Sequence, residues 1–318
     1  MSDIEFIPNK NNLENLDKLT LLQSELSERR LCELYEISEF AASLIKEMIS
    51  DGFGIYEALS LISQGFSGAE TKIHEKHLPE NFDMLTSYAK AFSVYDKASF
   101  SKFLLKQLKE RGILISEADF FPKEERDESI AYAKNQLSNE AYDVFAEEFK
   151  DPRLRYVQDL KEAVSLVTRG ETGYAILPLE ERGGARLSSI TEILFRSELK
   201  INSVTPVFGA LGNADMKYAL VSPDISIPSY EEGDDRYLEL RLQSDESFKF
   251  SELISVAESL GIGLYRVNTI SLTTNNGVLP YFSLVLKTES QDFTEMLIYL
   301  TLFVEDCAYV GIYKNLEP

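Results

Sequence analysis

The chain lacks tryptophan altogether and has only two cysteines, two histidines and a deficit of basic side chains among its 318 residues. Each scarcity excludes something. Cys32 and Cys307 are far apart and embedded in helix-like patterns, so they read as small hydrophobes, not as a disulfide or a metal site. His74 and His77 flank Glu75 closely enough to share a helix face, yet no third ligand accompanies them. They read as surface residues, and no metal or other cofactor is implied. With 32 Lys and Arg against 53 Asp and Glu, the net charge is −21, spread along the chain without an acidic tail. Such a balance excludes nucleic acid and anionic membranes as partners. No run approaches the roughly 18 apolar residues that span a bilayer. Met1 to Asn12 is polar and acidic, without the apolar core of a signal peptide, so the expected location is cytoplasmic. Gly52-Phe53-Gly54 lacks a third glycine and a preceding strand, which rules against a nucleotide-binding loop.

Three organisations follow one another along the chain. From Leu13 to Gly112 apolar residues recur at three- and four-residue spacing, as in Leu31, Leu34, Tyr35 and Ile37, then Phe40, Leu44, Ile45 and Met48. Asp51 to Gly54 ends that helix, and further helices are expected over Ile55–Gln64, Phe82–Phe92 and Ser99–Arg111. Residues 1–122 therefore read as a helical bundle, and the charged stretch 123–128 as a linker.

From Ser129 to Pro223 strands alternate with helices. Strands are expected at Ile130–Ala133, Arg155–Val157, Tyr174–Pro178 and Met216–Val221, and helices at Asn139–Phe149 and Asp159–Thr168. The continuous apolar run of Tyr174 to Leu177 suits a strand buried on both faces, and the order implies a doubly wound α/β layer. Ser222 to Asp235 reads as a second linker. Residues 236–318 then follow the order βαββαβ of a ferredoxin-like unit, with a turn at Asn275-Asn276-Gly277.

Within this frame an ordered series of segments resembles the prephenate dehydratases. Ile130 to Ser138 occupies the place of their opening strand and Thr-Phe-Ser turn. Asp159 to Val164 with Arg169-Gly170-Glu171 is similar to their following helix. Gly173 to Glu180 is similar to their strand and Pro-Ile-Glu-Asn turn, and Ile190 to Ile201 to their next helix. Ala308 to Tyr313 is similar to the closing strand of the ACT domain that follows in that family. The resemblance implies a multidomain α and α/β protein: a helical bundle, one periplasmic-binding-protein-like α/β lobe over 129–223, and an ACT-like domain over 236–318.

Family members carry a second lobe across the substrate cleft. Here Val204 to Leu211 matches the strand that leaves for that lobe, while Asn213 to Val221 already matches the returning one, so the second lobe is missing. The family's catalytic positions fall on Ser138, Glu180, Met216 and Lys217. Met216 stands in place of a threonine hydroxyl, and a thioether cannot donate a proton. Lys217 keeps a positive charge without the fork of arginine. Arg182 and Arg186, on a glycine-containing turn, are candidates with Lys217 for gripping a small carboxylate or amino acid. In the ACT-like part, Ser247 to Phe250 and Asn268 to Ser271 replace the motifs that hold phenylalanine. Pairing of sheet edges implies a homodimer. Chorismate mutase, which often precedes this dehydratase, needs several arginines and a lysine around a dianion, and only Glu28-Arg29-Arg30 fits.

Two functional readings remain open. One is a catalytically impaired regulatory or binding protein linked to phenylalanine and aromatic amino-acid biosynthesis. The other is an active carbon–oxygen lyase converting prephenate to phenylpyruvate, with its second wall supplied by a partner or by the helical bundle. Both expect Ser129 to Pro223 to form a single lobe, with Glu180 near Lys217 on an open surface.

Overall fold

A computed structural model describes residues 10–67, 82–122, 125–208, 214–231, 233–243, 250–274, 277–289 and 292–317. The chain divides into two units, Met1–Leu114 and Ile115–Pro318. His74 and His77 lie outside the described residues.

The first unit holds helices α1 (Lys10–Ser50), α2 (Ile55–Ser67), α3 (Phe82–Ala89) and α4 (Val94–Glu110). Leu34, Ala41, Ile45 and Met48 form one stripe of α1 and are buried, as are Leu59 and Ile62 of α2, Leu85 of α3, and Phe100, Leu104 and Leu108 of α4. Gly52, at φ +90, stops α1 in a conformation that costs other residues a Cβ clash. Helix α4 starts at Val94 and not at the expected Ser99 because Ser93 and Asp96 form a capping box. The Ser93 hydroxyl accepts from the Asp96 amide at 3.2 Å, and the Asp96 carboxylate accepts from the Ser93 amide at 2.8 Å. Asp96 also takes Arg30 of α1, at 3.0 and 3.2 Å, and Arg29 pairs with Glu33 at 3.5 Å. Arg29 and Arg30 thus serve within the bundle. Cys32, expected inside, is exposed.

The second unit is built on one nine-stranded sheet with order β2-β1-β3-β5-β4-β9-β6-β8-β7. Its strands are β1 (Ser129–Ala133), β2 (Arg153–Val157), β3 (Tyr174–Glu181), β4 (Lys200–Phe208), β5 (Ala214–Ser222), β6 (Arg236–Gln243), β7 (Gly263–Thr274), β8 (Gly277–Thr288) and β9 (Cys307–Lys314). Among the described residues five α-helices accompany them: α5 (Gln136–Ala146), α6 (Leu160–Thr168), α7 (Ser188–Arg196), α8 (Phe250–Ser259) and α9 (Thr294–Phe303). The sheet is mixed. Strand β1 pairs in parallel with β2 and β3, and β5 runs antiparallel between β3 and β4. The segment Met216 to Val221 thus returns to the first sheet, as expected. Helix α7 ends sooner than expected, since Ile201 already belongs to β4 and pairs with Val221.

Helices cover both faces. On one, Ala163, Val164 and Val167 of α6 and Ile190 and Leu194 of α7 pack over Ala131, Ala175, Leu177, Ala219 and Val221. On the other, Ala141 and Phe145 of α5 pack over Ile130, Tyr132, Ile176, Tyr218 and Leu220. Strands buried on both sides explain the unbroken apolar run of β3. Strands β9-β6-β8-β7, with α8 and α9 as crossovers, have ferredoxin-like order, and α9 is apolar nearly all round because it is buried nearly all round.

The two strand sets read separately in the sequence share this one sheet. Strand β4 runs parallel to β9, with Ile201 opposite Gly311. The join is extended by Leu316, whose amide donates to the Val204 carbonyl at 2.7 Å, and by the Thr205 hydroxyl, which donates to the Leu316 carbonyl at 3.2 Å. Among the described residues no helix is long and apolar enough to cross a membrane.

Candidate functional site

Strand β3 ends at Glu180 and Glu181, where the chain reverses through Gly183 and Gly184 at φ +93 and +84. The Glu181 amide donates to the Ala185 carbonyl at 2.9 Å, and an isolated bridge joins Glu180 to Arg186. The turn therefore folds Arg186 back beside Glu180. Antiparallel pairing of β3 with β5 sets Lys217 opposite the same residue.

Glu180 is only 4% exposed, and three cations surround its carboxylate. Arg186 Nε lies 3.5 Å from Oε1 and Lys217 Nζ 3.5 Å from Oε2. Arg266, from β7, forks onto both oxygens, with Nη2 at 3.3 Å and Nη1 in closer contact. Arg186 continues to a second buried carboxylate, Glu239 of β6, which also accepts from the Ser283 hydroxyl at 3.2 Å and the Tyr313 hydroxyl at 3.1 Å. Burial raises the Glu180 carboxyl, but the Arg266 hydrogen bond and the charges of Arg186, Lys217 and Arg266 outweigh it and hold the carboxyl below its ordinary value. Burial likewise pulls Arg186 down, and Glu239, Tyr313 and Glu180 more than reverse it. The cluster is an ion-pair network in which Arg186 bridges the two carboxylates, with its buried Nε–H left without a hydrogen bond.

The sequence placed Glu180 and Lys217 together on an open surface. They are together, but Glu180 is buried, with Arg266 of the ferredoxin-like strands forked onto it and Arg186 linking it to Glu239. Ser138 is also buried and works as a cap for α5. Its hydroxyl accepts from the Asn135 amide at 2.9 Å and donates to the Ala133 carbonyl at 2.8 Å. Met216 packs against the apolar cluster beneath α5. Arg182 is exposed on the turn. Beside Arg186, a cleft of about 580 Å³ opens between the first turn of α7, with Ser188, Ser189 and Glu192, and Asn268 and Ser271 of β7.

Arg266, Glu239, Ser283 and Tyr313 were not anticipated. In Leu238-Glu239-Leu240-Arg241-Leu242 the alternation marks Glu239 and Arg241 as sharing one face, which a single sequence presents as the wet one. Helix α7 covers that face instead. Phe195 of α7 lies under the Arg241 guanidinium at 4.0 Å and meets the Tyr281 ring at 5.2 Å. Among the described residues no group of three or more His, Cys, Asp or Glu side chains is arranged to hold a metal ion.

Fold and site together define a mixed α/β protein in which a single doubly covered lobe and a ferredoxin-like unit share one sheet around a buried ion cluster. No family model and no curated protein matches the chain. Among solved structures it is similar to a prephenate dehydratase from Streptococcus mutans, at 16% identity and a TM-score of 0.47, over 59% of this chain and 98% of that one. It is similar to a prephenate dehydratase in complex with L-Phe from Arthrobacter aurescens, at 14% identity and a TM-score of 0.42, over 58% and 89%. A third similar structure is GqqA, described as a novel type of quorum-quenching acylase, at 16% identity and a TM-score of 0.43, over 59% and 95%. Likenesses at this level assign no activity.

Proposed function

We propose that this protein is a divergent relative of the prephenate dehydratases, linked to aromatic amino-acid biosynthesis, in which catalysis has given way to a binding or regulatory role. The reading starts from the sequence resemblance, and one observation carries it: the Glu180 carboxylate is neutralised by Arg186, Lys217 and Arg266 within the protein. Loss of hydroxide and carbon dioxide from prephenate requires a placed proton donor at the departing oxygen and free cations for two carboxylates. A carboxyl held below its ordinary value is a poor donor at neutral pH. Arg186 and Lys217, the cations matched to substrate binding, are occupied by Glu180 and Glu239. Ser138 is committed to capping a helix, and Met216 to packing.

The test is an assay of the purified full chain for conversion of prephenate to phenylpyruvate. The expected rate equals the spontaneous one. Turnover near about one per second, ordinary for an enzyme, would restore the active-lyase reading. A binding role is checked in parallel by thermal shift with small carboxylates and amino acids.

A further inference from the structure

Helix α1 runs unbroken from Lys10 to Ser50, and from residue 18 onward its burial begins only around Leu34. Residues 18–29 are exposed on every side of the helix. That stretch nevertheless carries Leu19, Leu22 and Leu26, which are 64%, 53% and 67% exposed. Spacings of three and four residues put these leucines on one face, the pattern of a two-helix seam. Soluble monomers seldom leave such a stripe uncovered.

The charges beside the stripe identify what covers it. Lys18 and Glu25 are seven residues apart, so they flank the leucines on the same side. Consider two copies of α1 running antiparallel about a two-fold axis between Leu19 and Leu22. Leu19 of each copy stacks on Leu22 of the other, and Lys18 meets Glu25 twice. A parallel seam sets Lys18 beside Gln23 and Glu25 beside Arg30. The Arg30 guanidinium is already held by Asp96 at 3.0 and 3.2 Å. Among the described residues, only the antiparallel arrangement pairs opposite charges that are not already engaged.

We infer that the exposed leucine stripe of α1 is a self-association surface, and that its partner is the same stripe of a second copy of this chain, run antiparallel. The inference is independent of the dehydratase reading. Leu19 to Leu26 covers about 10 Å of helix at about 1.5 Å per residue, less than the contact length that buries about 1,200 Å² in stable interfaces. The association is therefore weak and concentration-dependent.

Sedimentation equilibrium of the full chain over a wide concentration range tests this. A monomer–dimer equilibrium is expected. Leu22→Glu should raise its dissociation constant more than about tenfold, since it buries two unpaired carboxylates in the seam. Because Leu22 is exposed within one chain, far-ultraviolet circular dichroism and the melting temperature should stay unchanged. Lys18→Glu should weaken the dimer, and Lys18→Glu with Glu25→Lys should restore it. A chain that stays monomeric at every concentration overturns the proposal. So does a dimer indifferent to Leu22→Glu, which would place pairing elsewhere, such as the free edge of β7. Lys18→Glu without effect would overturn the antiparallel orientation.

Discussion

Glu180 and Lys217 face each other across the antiparallel pair of β3 and β5, with Lys217 Nζ 3.5 Å from Glu180 Oε2. These residues are 37 positions apart, and the contact exists because β5 returns between β3 and β4 instead of opening another lobe. Arg266 and Arg186 complete the shell around Glu180, and Arg266 ties β7 to β3 through it.

Removing the central charge should expose this role. Glu180→Gln leaves Arg266 and Lys217 without the carboxylate they share and Arg186 with Glu239 alone, and is expected to cost about 3 kcal/mol, the lower end for a broken buried pair. Lys217→Met, at the more exposed rim, should cost less than about 1 kcal/mol. Urea denaturation at pH 7 measures both. A depressed carboxyl contributes stability that is complete above its unfolded value and lost as pH falls through the folded one. The Glu180→Gln penalty should therefore be full above the ordinary value of 4.5 and shrink below it. A penalty unchanged at lower pH would show that packing, not charge, is lost.

Gly311 tests the join between the strand sets. A Cβ there would run into the Ile201 carbonyl oxygen and lie 3.0 Å from the Ile201 Cβ. Gly311→Ala should cost about 1–3 kcal/mol, as overpacking typically does. Hydrogen exchange should show faster opening of β4 and β9 than of β1. Unchanged protection at β4 would mean that this pairing contributes little.

Glu117 is a third buried acid, after Glu180 and Glu239. It accepts from Arg236 Nη2 at 2.6 Å and from the Phe293 amide at 2.7 Å. Burial raises its carboxyl, and the Phe293 amide and Arg236 only partly offset this. A carboxyl raised in the folded state favours folding at low pH and loses that contribution as pH rises through its folded value. Glu117→Gln keeps an acceptor for Phe293 but leaves Arg236 without its charge partner, so Glu117→Ala should be the costlier change, by about 1–3 kcal/mol for the unmade hydrogen bonds. Thermal melts of both variants decide the order.

Phenylalanine should leave the melting temperature unchanged at millimolar concentration. A ligand at a hundred times its dissociation constant would add about 2.7 kcal/mol. The positions matched to the family's phenylalanine motif include Asn268 to Ser271, and in the structure these lie along β7, the last strand of the sheet. A clear upward shift would show that amino-acid binding survives the altered motif.

Periodicity and capping carry local structure, so the sequence by itself determined most of the elements. Apolar residues at helical spacing place α1, the run Tyr174 to Leu177 marks a strand buried on both faces, and Gly261 closes the α8 segment. Chain length also settled one topological point, since the residues between Phe208 and Met216 are too few to build another lobe, and β5 does return to the sheet. Tertiary structure alone decided that β4 and β9 join two strand sets, that Arg266 reaches Glu180, and that Arg186 links Glu180 to Glu239. A strand's alternation says which residues share a face and nothing about what covers it. Edge pairing runs through backbone groups that every residue carries, so it leaves no mark in side-chain pattern. Glu180 could be read as an acid at the end of a strand. Only the fold makes it the centre of a closed ion cluster.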